Sequence, residues 1–362
     1  MPRGVTVGRG DERAAPAPER PGAGDVPAML EAFLTRRLGG SAQPSVGSVQ
    51  RIGVGRSREN WLFDATWQGP DGPVAEQLIA RRDPLGGLLE TDRSVEFAVL
   101  AALGPTAVPV PPVRWLDATG DELGRPSLVM VREPGECDYF VLNGDRPESE
   151  RVELARAFCT MLAGVHGVDW RAAGLGEVLT DPGPQAGLAA LDEWEAILRR
   201  DQLEPWPELE LAFRRLRACA PTAPRTVLVH GDMKPGNVLL VDGEPGALLD
   251  WELAHLGDPI EDLGWVTQPL RTREHLIAGC WEREDLLRCY EELTGTTVDR
   301  ASVLWWNALA CLKTAVMQIS GLRSYVEGRS DELYQPTAAV LRALDDCSRD
   351  ALAAIGPTGA GR

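Results

Sequence analysis

His230-Gly231-Asp232-Met233-Lys234-Pro235-Gly236-Asn237, followed by Leu248-Leu249-Asp250-Trp251-Glu252, is the stretch whose reading decides the fold. The flanks Thr226-Val227-Leu228-Val229 and Val238-Leu239-Leu240-Val241 are apolar and β-rich, so they predict two short buried strands. Asp242-Gly243 then signals a tight turn, and Ala247-Leu248-Leu249 begins a third strand ending at Asp250. A polar loop held this way can bring Asp232, Lys234 and Asn237 beside the carboxylate of Asp250.

Those residue types are what phosphoryl transfer requires. The transferred group is already highly charged, so catalysis consists mostly of positioning and charge stabilisation. It needs a carboxylate at the acceptor hydroxyl, a cation near the moving phosphoryl group, and oxygen ligands for magnesium between the phosphates. An isolated Asp and Asn in a loop more often make local turn hydrogen bonds. Five matched positions with an Asp at the end of the following hairpin weigh against that simpler reading.

His230-Gly231-Asp232 with Lys234 and Asn237 resembles the catalytic loop of the protein-kinase-like fold, in the form used by aminoglycoside phosphotransferases, choline kinases and their relatives. Asp250 matches the metal-binding Asp of the Asp-Phe-Gly position. The resemblance implies an α+β, two-lobed fold with a small sheet-rich N-lobe and a larger, mainly helical C-lobe. It implies Asp232 as the base and Lys234 near the γ-phosphate, with Asn237 and Asp250 as magnesium ligands and ATP, or alternatively GTP, as donor. His230 and His166 read as structural braces rather than acid-base groups.

Beyond Asp250, Asp258-Pro259 with Glu261 reads as an N-cap, a first-turn proline and a capping-box-like acid. The Asp-Trp-Glu and Gly-Asp-Pro pieces are similar to the branch that includes the kinase domain fused to acyl-CoA dehydrogenases. Glu252 reads equally as an aid to a second metal or as support for the Asp250 backbone.

Upstream, Gly53, Gly55, Ser57 and Asn60 lie in a glycine-bearing loop before an alternating strand, a pattern that can bring backbone N–H groups to phosphate oxygens. An ordinary hairpin turn is the competing reading. Arg81 and Glu96 match the strand cation and helix carboxylate that hold the α- and β-phosphates in kinases. The usual residue there is lysine; arginine forks and stays charged, so the function can survive with altered geometry. Arg81 and Arg82 compete for the position, because only one of two adjacent strand side chains faces inward. By the same resemblance, Ser127 to Gly135 forms the hinge, and the backbone of Val131 to Glu133 contacts adenine.

The organisation read from the sequence is a disordered leader over 1–24, an N-lobe over 25–133, a C-lobe over 134–355 and a flexible tail over 356–362. Helical spacing marks Val26 to Leu38, Glu150 to Val168, Asp285 to Leu293 and Ala301 to Ser320. Trp194 and Trp206 read as packing residues. Lys313, on an apolar helix face, needs a partner if buried, so it reads either as meeting an acid of the site or, the favoured reading, as a cation snorkelling to the surface. Arg271, Arg273 and Arg323 read as solvated charges.

A net charge of −17 argues against nucleic acid or an acidic membrane as partner. Seven cysteines without paired metal spacing fit a reducing cytoplasm. Four histidines, none paired at metal-ligand spacing, speak against a zinc hydrolase. The function expected is magnesium- and ATP-dependent phosphorylation of a small-molecule hydroxyl, with a hydroxyacyl-CoA or other metabolite favoured over an aminoglycoside-like antibiotic. Two alternatives are a non-catalytic nucleotide or metabolite sensor and a protein kinase. The last is disfavoured because nothing after Asp250 resembles an activation segment. Nothing in the sequence fixes the oligomeric state.

Overall fold

The computed structural model describes residues 26–52, 59–83, 92–330 and 332–357. The expected phosphate-loop residues Gly53, Gly55 and Ser57 lie outside them, as do the 1–24 leader and most of the tail.

The first lobe starts with α1 (Val26–Leu38) and continues through β1 (Ser45–Ile52), β2 (Glu59–Gly69), β3 (Gly72–Arg82), α2 (Arg93–Leu103), β4 (Val113–Asp117) and β5 (Ser127–Val131). The strands form one antiparallel sheet in the order β1-β2-β3-β5-β4. Alternation along these strands gives the sheet two faces with different partners. Trp61, Phe63, Ala65, Leu78, Ala80 and Val129 pack with Val26, Leu30, Phe33 and Leu34 of α1. The opposite side chains of β5, Leu128 and Met130, join Val99, Leu100 and Leu103 of α2 in the core that continues into the second lobe.

That alternation separates the two arginines. Arg82 shares the face of Leu78 and Ala80, is 1% exposed, and reaches toward Gly124. Arg81 faces the cleft.

The second lobe is built from α3 (Glu148–His166), α4 (Ala186–Asp201), α5 (Pro207–Ala218), β6 (Val227–Val229), β7 (Val238–Val241), β8 (Glu244–Leu248), β9 (His255–Gly257), α6 (Pro259–Thr267), α7 (Thr272–His275), α8 (Arg283–Thr294), α9 (Arg300–Val326) and α10 (Ala338–Ile355). Its long central helix, α9, packs on α4, α5, α6 and α10. The strands pair as β7 with β8 and β6 with β9. The sequence reading included the first pair but not β9, whose three residues carry no strand pattern. Asp242 and Gly243 both hold positive φ, 50° and 89°, as a type I′ turn needs.

Past β5 the chain turns at Pro134-Gly135. Gly135 has φ +118°, and a side chain there would lie 2.7 Å from the Leu240 carbonyl oxygen. The close approach is closed by two backbone hydrogen bonds between Glu136 and Leu240, of 3.1 and 2.9 Å.

Candidate active site

The loop between β6 and β7 is held from below by one buried carboxylate. Asp262, in the first turn of α6, accepts the backbone N–H groups of His230 at 2.8 Å and Gly231 at 2.9 Å. His166 bonds the same carboxylate through Nε2 at 3.1 Å, and Tyr290 lies 2.7 Å from His166 Nδ1. Burial alone would raise the Asp262 pKa. The bond from His166, the nearby imidazoles and the His230 N–H outweigh it and bring it down to about 2.

His230 braces the loop, as expected. Its Nδ1 accepts from the Asp232 N–H at 3.2 Å, so the proton lies on Nε2, which meets the Leu249 carbonyl at 3.0 Å. Its ring packs against Trp251 with centroids 4.7 Å apart. Burial pushes the His230 pKa down, in keeping with this neutral tautomer. Asn237 also contacts the next hairpin strand's end, accepting the Leu249 N–H on its backbone oxygen at 2.8 Å.

On this scaffold the polar residues converge. The Asp232 carboxylate accepts Lys234 Nζ at 2.5 Å and Asn237 Nδ2 at 3.2 Å, and Asn237 Nδ2 also bonds the Asp232 carbonyl at 3.0 Å. Burial would lower the Lys234 pKa, but the Asp232 charge outweighs it and raises it, so the ammonium stays charged. Asp250 sits in the left-handed region at φ 68°, a conformation that costs a non-glycine residue energy and turns the chain directly into the turn Trp251–Leu253.

From the first lobe, Arg81 reaches across the cleft. Its guanidinium binds Glu96 at 3.0 Å and Asp250 at 2.5 Å. Glu96 is 1% exposed and also pairs with Arg93, which in turn binds Asp83 at 2.5 Å. The structure thus selects Arg81 over Arg82 for the cleft and adds Arg93, which the sequence reading missed. Asn60 stands opposite Arg81 in the strand register, so it too points to the cleft side.

Several expectations need correction. The Val131 N–H is taken by the Pro112 carbonyl at 2.9 Å and that of Arg132 by the Gln77 carbonyl at 2.9 Å, so a backbone contact from Val131 to adenine would have to use its carbonyl. Glu133 follows these two residues, beyond the end of β5. Asp258 caps α6 through the Ile260 N–H at 2.9 Å, but Glu261 does not complete a capping box; its carboxylate turns to His255 at 3.0 Å. Lys313 does not snorkel. It is 4% exposed and donates to the Gly231 carbonyl at 2.6 Å. Arg271 is not a purely solvated charge, since it stacks on Trp265 at 4.6 Å and pairs with Glu274 at 3.0 Å.

Two further features border the loop. Tyr139 lies against Gly236, where an added side chain would approach its ring to 2.6 Å, and stands 5.8 Å from Lys234 Nζ. A cavity of about 230 Å³ is lined by Asp92, Glu193, Trp194, Glu252, His255 and Lys313 among others. Asp262 and Tyr139 left no local motif by which sequence could find them. The acid in the apolar run of α6 was the one available hint.

The oxygen donors suit magnesium. With its Nδ2 committed to Asp232, Asn237 presents Oδ1 as its remaining amide atom, and Asp250 supplies a carboxylate. Two such ligands match a cation that is otherwise bound by water and nucleotide phosphates. No group of three or more His, Cys, Asp or Glu residues forms a metal cage among the described residues.

Comparison with known proteins agrees with this architecture. The family model of the phosphotransferase enzyme family matches residues 48–294. Mouse acyl-CoA dehydrogenase family member 10 is 30% identical over 195 residues, 52% of this chain and 18% of that protein. Chicken acyl-CoA dehydrogenase family member 11 is 28% identical over 246 residues, 66% of this chain and 30% of that protein. The chain therefore spans less than a third of either relative. Among solved structures, a Ralstonia eutropha JMP134 protein whose assignment as an aminoglycoside phosphotransferase is itself provisional superposes with a TM-score of 0.66 at 21% identity, covering 91% of this chain and 97% of that one. Macrolide 2′-phosphotransferase type I gives 0.56 at 20% identity, with 86% and 97% covered. These likenesses show a kinase-like fold, and the family match, which takes in residues 230–237 and both of their flanks, places this chain in the phosphotransferase enzyme family.

Proposed function

We propose that this chain is a magnesium- and ATP-dependent kinase that phosphorylates a hydroxyl of a small molecule. The observation that carries the reading is the Asp232 carboxylate, aimed by Lys234 and Asn237 within a loop whose next hairpin presents Asp250 to Arg81. In this reading Asp232 orients the acceptor hydroxyl and takes its proton. Lys234 remains charged and is available to the transferred phosphoryl group. Arg81, braced by Glu96, holds phosphate oxygens through its fork. Asn237 and Asp250 would hold magnesium, which when bound neutralises charge developing between the phosphates. Asn60, Glu133 and the Gly53, Gly55 and Ser57 loop are proposed as further nucleotide contacts. GTP is proposed as an alternative donor.

The protein-kinase alternative is weakened by the chain's course. It runs from Asp250 through one turn and β9 straight into α6, leaving no activation segment. For the acceptor, similarity to members 10 and 11 of the acyl-CoA dehydrogenase family supports a hydroxyacyl-CoA or related metabolite. The cavity beside the loop favours a second reading, an amine-bearing acceptor, because Asp92, Glu193 and Glu252 line it. The test is transfer from ATP or GTP, with magnesium, to hydroxyacyl-CoAs, amino alcohols, aminoglycosides and macrolides, with product mass as readout. A phosphorylated product formed by wild type and absent with Asp232→Asn supports the kinase and names its acceptor class; a product formed equally by both refutes the base assignment.

A further inference from the structure

The Gly231–Asp232 peptide is gripped on both its polar atoms. Its N–H donates to His230 Nδ1 at 3.2 Å, and its carbonyl accepts Lys313 Nζ at 2.6 Å. The preceding N–H, that of Gly231, is fixed by Asp262. The plane of this peptide sets the direction in which the Asp232 side chain leaves the backbone.

Lys313 comes from the middle of α9, and its neighbours along the helix, Leu309, Leu312 and Val316, are buried apolar residues. Its ammonium lies 4.8 Å from the Trp265 ring and 5.4 Å from that of Trp194, which arrives from α4. A buried cation is costly, and an apolar residue of similar length would fill the same space without that cost. The aromatic faces and the carbonyl offset the burial, and the carbonyl they direct the charge toward belongs to the catalytic loop.

We propose that Lys313 is a positioning residue for phosphoryl transfer, acting on Asp232 through the Gly231 carbonyl. The proposal rests on the reading of Asp232 as the base. Because Lys313 also lines the cavity beside the loop, the same contact joins α4, α9 and the cavity wall to the direction of the base.

The test is Lys313→Met in the full chain. Four quantities are measured against wild type: thermal stability, nucleotide KM, kcat with the acceptor found by mass readout, and amide hydrogen exchange over residues 228–237. The expected result is a kcat lower by ~10- to 100-fold, the scale of a misplaced catalytic group. Nucleotide KM should stay within about twofold, thermal stability should fall because the buried Gly231 carbonyl loses its donor, and exchange should accelerate by about tenfold or more at the Asp232 N–H, which shares the peptide that Lys313 holds. Unchanged kcat and unchanged loop exchange in the folded variant overturn the proposal. So does protection lost uniformly through α6, α9 and the loop, which marks a merely structural lysine. Should the variant not fold, the wild type decides: an ammonium held on Gly231 gives a slowly exchanging ¹⁵Nζ resonance for Lys313 at neutral pH, and a fast-exchanging one refutes the contact. Asp232→Asn is run alongside. If it transfers phosphate as well as wild type, the base assignment fails, whereas the exchange data still judge the Lys313 contact on their own.

Discussion

At φ +79°, Gly231 holds a backbone conformation that L side chains rarely adopt, and an added Cβ would stand 2.7 Å from the Leu253 carbonyl oxygen. Both facts follow from the loop's close approach to the segment after Asp250. Gly231→Ala should therefore cost roughly 1–3 kcal/mol in backbone strain alone. Denaturant titration beside a transfer assay would check it, with activity expected to fall further than the folded fraction does. An alanine variant of native stability and activity would mean that the loop has more freedom than its hydrogen bonds imply. Asp250 carries strain of the same kind at φ 68°, which fits a residue whose position matters more than its comfort. The convergence of Asp232, Lys234 and Asn237 was legible in sequence because their spacing is local. Lys313 was not, because its role depends on a carbonyl 82 residues away in the chain.

At the scale of the element, α6 positions the site through its first turn. Asp258 caps it, Asp262 takes two loop N–H groups, and every residue from Pro259 to Thr267 is buried. The cap was readable from Asp-Pro, since capping chemistry is local. The turn of Glu261 toward His255 was not, because β9 brings that histidine into reach only after it pairs with β6.

Two consequences belong to this helix. Gly264 lets α6 close on α9, where a Cβ would lie 2.4 Å from that of Trp306, so Gly264→Ala should destabilise by about 1–3 kcal/mol or more through overpacking. Chemical denaturation tests this, and a neutral result would contradict the packing described. Asp262 predicts a pH dependence. Its folded pKa, about 2, lies below the ordinary value near 4, so the unfolded chain binds its proton more readily. Its contribution is full above the ordinary value and is lost as pH falls through the folded one. Stability measured from pH 5 down to 2 should fall with a steeper slope in wild type than in Asp262→Asn, and equal slopes would exclude Asp262 as a source.

At the scale of the molecule, two cores divide the work. The α1 face of the sheet forms its own cluster, while the cleft face and α2 belong to the continuous core of the second lobe. This arrangement ties the helix carrying Glu96 to the lobe carrying Asp250, with Arg81 between them. Phe33, fully buried beneath the sheet, should cost about 3–5 kcal/mol when cut to alanine. Denaturation followed by tryptophan fluorescence would measure that loss. The two-lobed α+β plan was legible from the catalytic loop and the alternating strands. The sharing of the core between lobes was not, since it depends on which face of β5 meets α2.

Asp232 is proposed to serve a phosphoryl-transfer centre assembled from both lobes. The most direct measurement is magnesium-dependent formation of a phosphorylated product from ATP and the acceptor panel, by mass, with wild type, Asp232→Asn and Asp250→Asn side by side. Product is expected with wild type only, with magnesium-nucleotide binding kept in Asp232→Asn and weakened in Asp250→Asn. Equal product from Asp232→Asn and wild type, or no magnesium-nucleotide binding by wild type, would contradict that expectation.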